Sequence, residues 1–336
     1  MLSRVKFGIV LSSTFLTALL VIGAVMGESS TADGAYRQLS VYTEVLSRIK
    51  SDYVEEPDIK VVTRGALQGL LESLDPNSSY LSAEQNKEYE KRKGSQQGDV
   101  GLTLSKRFGL VVILSSLPGS PAAQVGLQTW DLLEAVEGRA TRDLPLPLTQ
   151  ALLAGPVGTP VTVIVRRNRR AEEPQELKLT RADVAAPAVT HKLLADKVGY
   201  VNLDVLTPGK AQEVARALRD LETQGAERVV LDLRSNAMGD AQEGIRLANL
   251  FVEDGLLAYL QGQKYPRQDF QAERKNAVSK LPLVVITNRA TAGAAEIVAA
   301  AVLDRRRGQV VGEKTYGLGS VQKTIPMEDG AAIILS

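Results

Sequence analysis

The spacing of apolar and polar positions changes character several times along the chain. Phe7 to Gly27 is a run of 21 uncharged, mainly apolar residues, ending before Glu28-Ser29-Ser30. From about residue 35 to 93 the apolar positions recur at helical intervals, first Leu39, Tyr42, Leu46, Ile49 and Tyr53, then Leu67, Leu70 and Leu71. Between about Gly94 and Asp183 the pattern turns to short strands and turns. Beyond Pro187, strands alternate with helices. Val198–Leu203 and Arg228–Leu233 read as strands, and Thr207–Glu222 as an amphipathic helix with Thr207 as N-cap and Pro208 at its first position. Leu283–Thr287 is a β-branched strand, Thr291–Asp304 an Ala-rich helix and Gln309–Gly312 a further strand. A loop carrying Gly317, Gly319, Ser320 and Gln322 follows. Strands alternating with helices predict a largely parallel sheet. The expected class is therefore α+β and multidomain: helices, then a β-rich domain, then an α/β core.

Composition narrows the chemistry. The chain has 336 residues, 44% of them hydrophobic, enough for two or three domains. A net charge of +1 gives no global field toward nucleic acid, and none is expected as a partner. The absence of cysteine excludes disulfides, thiol catalysis and thiolate metal sites; no metal and no cofactor are expected. The single histidine, His191, is the sole candidate for a Ser-His-Asp triad, and Thr190-His191-Lys192 reads as a solvated linker before a strand.

The run 7–27 is long enough to cross a bilayer as a helix, and Arg4 and Lys6 before it predict an N-terminus facing inward. An uncleaved anchor is expected, with the rest of the chain on the extracytoplasmic side, in the periplasm or at the cell exterior. The alternative is a signal cleaved after Val25-Met26-Gly27. Arg166-Arg167-Asn168-Arg169-Arg170 reads as a solvated hairpin tip, with contact to anionic lipid the lesser alternative.

Three groups of motifs carry a resemblance. Tyr53-Val54-Glu55-Glu56-Pro57, Gly65-Ala66 and Leu74-Asp75-Pro76-Asn77-Ser78-Ser79-Tyr80-Leu81 lie in the helical region. Asp99 to Leu104, Leu110 to Leu114, Ser120 to Leu127, Trp130 to Leu133 and Gly158 to Val163 follow in the order of a PDZ domain, with Trp130 where a turn glycine is usual. Leu231 to Gly239 and Leu281 to Gln322 complete the set. Together they resemble the carboxyl-terminal processing (tail-specific) serine peptidases, over about residues 35–336. The resemblance implies an N-terminal helical region (28–93), a PDZ domain (94–183) and a crotonase-like α/β core (184–336), after an anchor or signal at 1–27; relatives continue with a further strand and a C-terminal region, so the core at 336 is expected to be C-terminally incomplete, the alternative being a protein without that part.

The family reads roughly N-x-x-[ST]-A-S-A-S-E-I and V-G-x-x-T-[FY]-G-K-G-x-V-Q. Aligning Glu296-Ile297 and Val311-Gly312-Glu313 without gaps places Gly293 at the catalytic serine and Leu318 at the lysine. Gln322 matches the glutamine that orients that lysine in some members, and Asp304 and Thr315 are also present. The family's L-D-L-R-x-N-x-G-G loop, which receives the oxyanion, is here Leu231 to Gly239, with Met238 at the first glycine. A serine needs a base and a lysine acts as one only as the neutral amine; glycine and leucine supply neither. Met238 is expected to restrict a positive-φ conformation and crowd the pocket. The resemblance thus implies a member without its reacting pair, binding protein C-terminal tails through Val100, Gly101, Leu102 and Leu104 of the PDZ domain. The helical region implies homo-oligomers or assembly with an active relative. The alternative is an active endopeptidase with a substitute dyad, Thr291 and Lys314; a purely structural remnant is a third reading.

Overall fold

The computed structural model describes residues 31–93, 98–168 and 173–336, so the apolar run at 7–27 and Arg169 and Arg170 of the basic cluster lie outside the described residues. Among the described residues no helix is long and apolar enough to cross a membrane. Two units divide between Ala66 and Leu67.

The first unit holds α1 (Thr31–Asp52) and the beginning of α2 (Ile59–Glu72), with Leu39, Val41 and Val45 of α1 exposed. In the second unit α2 ends and the region does not stay helical. The Asp75 carboxylate accepts the Asn77 and Ser78 N–H groups (2.7 and 2.8 Å) and the Ser78 hydroxyl (2.7 Å), turning the chain into the buried strand β1 (Ser79–Leu81) before α3 (Ala83–Lys93).

The β-rich part contains β2 (Leu102–Arg107), β3 (Leu110–Ser116), α4 (Pro121–Gln124), β4 (Leu132–Val136), β5 (Arg139–Ala140), α5 (Leu146–Leu153), β6 (Pro160–Arg166) and β7 (Gln175–Thr180). The sheet order is β2-β3-β4-β6-β7, with β5 on β4, so β2 lies at an edge. Ile113, Leu133, Leu148, Leu152 and Val163 fill the core. The buried Arg181 guanidinium donates to the Leu152 and Leu153 carbonyls (2.8 and 3.0 Å), satisfying the C-terminus of α5. Trp130 holds the left-handed conformation (φ 73) of the turn where a glycine is usual. Arg166 and Arg167 are not merely solvated: Arg166 pairs with Glu134 (2.6 Å), and Arg167 with the buried Asp131 (2.9 Å).

The α/β part comprises β8 (Thr190–Leu194), β9 (Val198–Asn202), α6 (Lys210–Thr223), β10 (Arg228–Asp232), α7 (Ala241–Asn249), a hairpin of β11 (Leu256–Gly262) and β12 (Tyr265–Gln271), β13 (Leu283–Thr287), α8 (Ala294–Asp304) and β14 (Gln309–Gly312). The order β14-β13-β10-β9-β8 is parallel throughout except for β8, which runs antiparallel to β9. The apolar runs seen in the sequence become central strands, with Val229, Leu231, Leu283 and Val285 buried beside Val298 and Val302 of α8. Helix α6 begins two residues later than Thr207-Pro208 predicts, because Gly209 takes a left-handed conformation (φ 95) at its N-cap. His191 lies within edge strand β8, not in a linker, with Nε2 2.7 Å from Asp220 Oδ2. Finally β15 (Lys323–Pro326) and β16 (Ala332–Leu335) form an antiparallel sheet with β1, pairing Tyr80 with Ile333.

Candidate functional site

The loops after β10 and β13 are laced together. Asn288 Oδ1 accepts the Ser235 N–H (2.9 Å), Thr291 Oγ1 donates to the Leu233 carbonyl (2.8 Å) and accepts from the Asn288 N–H (3.0 Å), and the Ala292 N–H donates to the Asn236 carbonyl (2.9 Å). Below them Asp232 binds Arg234 Nε (2.9 Å) and the Tyr200 hydroxyl (2.7 Å). Burial pushes the Asp232 carboxyl up, but the bonds from Arg234 and Tyr200 outweigh it and hold the group below the ordinary aspartate value of 3.8.

On this frame the turn presents Gly293 at the N-cap of α8, with φ 59 and ψ −116, a conformation suited to glycine. The helix accordingly starts at Ala294, not Thr291. The Gly293 N–H donates to Glu296 Oε2 (2.8 Å). The same carboxylate reaches across to the loop after β14, Oε1 accepting the Gly317 N–H (2.7 Å) and Oε2 the Leu318 N–H (2.8 Å). The Tyr316 N–H adds a bond to the Thr291 carbonyl (2.9 Å). As a result a Cβ built on Gly293 would lie 3.5 Å from Leu318 Cδ2. The structure thus brings positions 293 and 318 into contact.

The other candidates are placed as follows. Thr291 is fully buried, its hydroxyl engaged as above, and Lys314 is exposed. Gln322 is exposed and bonds to Ser320 Oγ (3.0 Å). Met238 does not hold a positive φ; the left-handed residue of that loop is Ser235 (φ 60), so the expected conformational restriction at Met238 does not arise. Instead the Met238 carbonyl accepts the Leu206 N–H (2.8 Å), and Gly239 lies so close that a Cβ on it would meet Leu206 Cβ at 2.5 Å.

In the β-rich part Val100 is buried, Gly101 takes φ 79, and Leu102 and Leu104 are buried on edge strand β2. The Gly101 N–H is already held by Asp99 Oδ1 (2.6 Å), so one of the loop's donors is occupied from within. Tyr316 joins the two parts: its hydroxyl hydrogen-bonds Ser105 Oγ, and Arg107 lies over its ring (4.7 Å). One cavity of about 550 Å³ runs between them, with Leu102, Leu104, Leu146 and Leu153 on one wall and Met238, Leu318 and Gln322 on the other. Sequence reasoning missed Glu296, Tyr316 and Asp99 as site residues. For Glu296 a signal existed, since a glutamate at the third helical position after an N-cap has capping-box spacing.

A PDZ-type groove sharing one cleft with a strand–turn–helix joint of a crotonase-like core is the architecture of a PDZ-bearing serine peptidase. The sequence profile of peptidase family S41 matches residues 197–336 and that of the PDZ domain residues 112–167. Among curated proteins, the carboxyl-terminal-processing protease of Synechocystis sp. is 33% identical over 296 residues, 86% of this chain and 69% of that protein. The carboxy-terminal-processing protease of Bartonella bacilliformis is 28% identical over 330 residues, 97% and 76% of the two chains. Among solved structures, a photosystem II D1 C-terminal processing protease superimposes with a TM-score of 0.70 at 26% identity, covering 88% of this chain and 86% of that one. The chain belongs to the carboxyl-terminal processing protease family.

Proposed function

We propose that this family member holds protein C-terminal tails in its PDZ groove without hydrolysing them. The observation that carries this reading is the contact between Gly293 and Leu318, where the family places its serine and lysine: neither a hydroxyl nor an amine is available at the joint. The rival reading, hydrolysis by Thr291 with Lys314, is disfavoured because the Thr291 hydroxyl is fully buried and already bonded to Leu233 and Asn288, while Lys314 is solvated. A lysine serves as a base only where burial disfavours its charge. The full chain incubated with unstructured, apolar-tailed peptides should release no product above a buffer control by mass spectrometry. Turnover abolished by Thr291→Ala or Lys314→Ala would overturn this reading in favour of the rival.

The same proposal places the protein at a membrane through residues 7–27, facing the extracytoplasmic side, on the strength of the length of that run and the basic residues before it. It also has the protein self-associating or assembling with an active relative. Carbonate washing should leave full-length protein in the membrane fraction; a soluble chain beginning at Glu28 would show a cleaved signal instead.

A further inference from the structure

Loss of the reacting pair leaves the cleft with a chemistry of its own. Leu318 and Met238 present partly exposed apolar side chains at the core wall of the 550 Å³ cavity whose other wall is the PDZ groove. Partly exposed apolar side chains in a concavity that continues a peptide groove are suited to receive an apolar ligand group.

We propose that Leu318 and Met238 form an apolar slot for a side chain of the tail itself, upstream of the residues seated in the PDZ groove. The inference rests on the tail-binding reading above. Its geometry follows from β2. A tail adding to this edge places its carboxylate at the loop before Leu102 and so runs antiparallel to β2. Counted from Leu102, Ser105 is the fourth residue, and there Tyr316 hydrogen-bonds β2. Tyr316 lies two positions before Leu318 on the loop fastened by Glu296. The last four residues of a tail therefore occupy the groove proper, and residues beyond the fourth meet the loop of Leu318 and, across the cavity, Met238. Where a lysine and a glycine would leave this wall polar and open, the pair here selects tails with a leucine-like side chain about five or six residues from the carboxylate.

The test uses the full chain in lipid nanodiscs and fluorescein-labelled synthetic peptides, read by anisotropy. One peptide has four residues, Ser-Val-Ala-Ala; two have nine, ending in the same four, with either leucine or serine at the fifth and sixth positions from the end. The leucine peptide should bind roughly tenfold tighter than the serine peptide, the equivalent of burying one leucine side chain. Leu318→Ser and Met238→Ser should each remove most of that preference while leaving the four-residue peptide's affinity within about twofold of wild type. Equal binding of the two long peptides, or a preference that survives both substitutions, overturns the slot and leaves PDZ binding standing. Failure of all three peptides to bind overturns the tail-binding reading and the slot with it, and cleaved peptide in the recovered mixture overturns the non-hydrolytic reading.

Discussion

Replacing Gly293 by alanine isolates the cost of the backbone conformation at the turn. At φ 59 and ψ −116 an L-residue is strained, and such conformations cost about 1–3 kcal/mol. Nothing steric adds to this, because the new Cβ would meet only Leu318 Cδ2, at an ordinary 3.5 Å. Restricting the unfolded chain returns about 0.4–1 kcal/mol. The net expectation is a loss of about 1–2 kcal/mol, a fall in Tm of roughly 2–6 °C on the scale for domains of this size. Gly293→Ser should cost about the same, since the penalty belongs to the backbone. The control is Gly69→Ala: Gly69 lies within α2, is exposed, and has open space where a Cβ would go, so alanine should stabilise by about 0.5–1 kcal/mol. Denaturant and thermal unfolding followed by circular dichroism measure both. If Gly293→Ala stabilised the protein as Gly69→Ala does, residue 293 would not hold this conformation and the strain argued for the turn would fail.

Three further outcomes are expected. Glu296→Ala removes the acceptor of the Gly293, Gly317 and Leu318 N–H groups and should cost about 2–4 kcal/mol, with faster hydrogen exchange in the segment 316–319. Asp232 titrates below 3.8 in the folded state, so its charged form stabilises the fold above that pH and the contribution is lost as pH falls through the lower folded value; the Tm gap between wild type and Asp232→Asn should be constant from about pH 5 to 8 and shrink below 3.8. Asp99→Ala frees the Gly101 N–H and removes a carboxylate from the loop proposed to receive the tail's own; titration calorimetry should show free-acid peptides binding roughly fivefold tighter and amidated peptides unchanged.

What the sequence disclosed, and what it hid, follows from the range of each interaction. Strands β10 and β13 were legible because buried parallel strands are apolar runs with turn residues at their ends. Both α6 and α8 start later than composition suggests, by two and three residues, for one reason: a glycine with positive φ, Gly209 or Gly293, ends the approach to the helix, and propensity does not report backbone sign. Strand β1 was read as part of a helical region because its partner, β16, lies some 250 residues away, as in Ser79 with Ile334. At the site, the meeting of positions 293 and 318 was implied by family spacing. The role of Asp99 was hidden, since a side chain bonding two residues on is ordinary turn chemistry and marks no site. The expectation at Met238 assumed that the family's glycine serves a left-handed conformation, whereas here Ser235 takes it and Gly239 serves close approach to Leu206.

The positions that the proposed function assigns to the family's reacting groups share a physical property. Asn288 and Thr291 bond through their side chains to another loop, and Glu296 to three N–H groups; deleting Thr291 leaves the buried Leu233 carbonyl unpaired, at about 1–3 kcal/mol, and deleting either of the others unties a partly buried backbone group. Gly293, Leu318 and Met238 enter that lattice only through backbone atoms, namely two N–H groups on Glu296 and a carbonyl on the Leu206 N–H. Their side chains can therefore change without unlacing the loops. On the non-hydrolytic proposal, it follows that the frame should accept reacting groups at these positions. In Gly293→Ser/Leu318→Lys/Met238→Gly the serine carries the backbone strain argued above, and the lysine stands at a partly buried position bordering an apolar wall, where desolvation favours the neutral amine that a base requires, against the pull of the Glu296 carboxylate. Peptide cleavage by this triple variant, absent from wild type and from Gly293→Ser or Leu318→Lys alone, is the expected result. A triple variant that folds with wild-type circular dichroism and still releases no product would show that the frame, and not only the reacting pair, departs from that of a working peptidase.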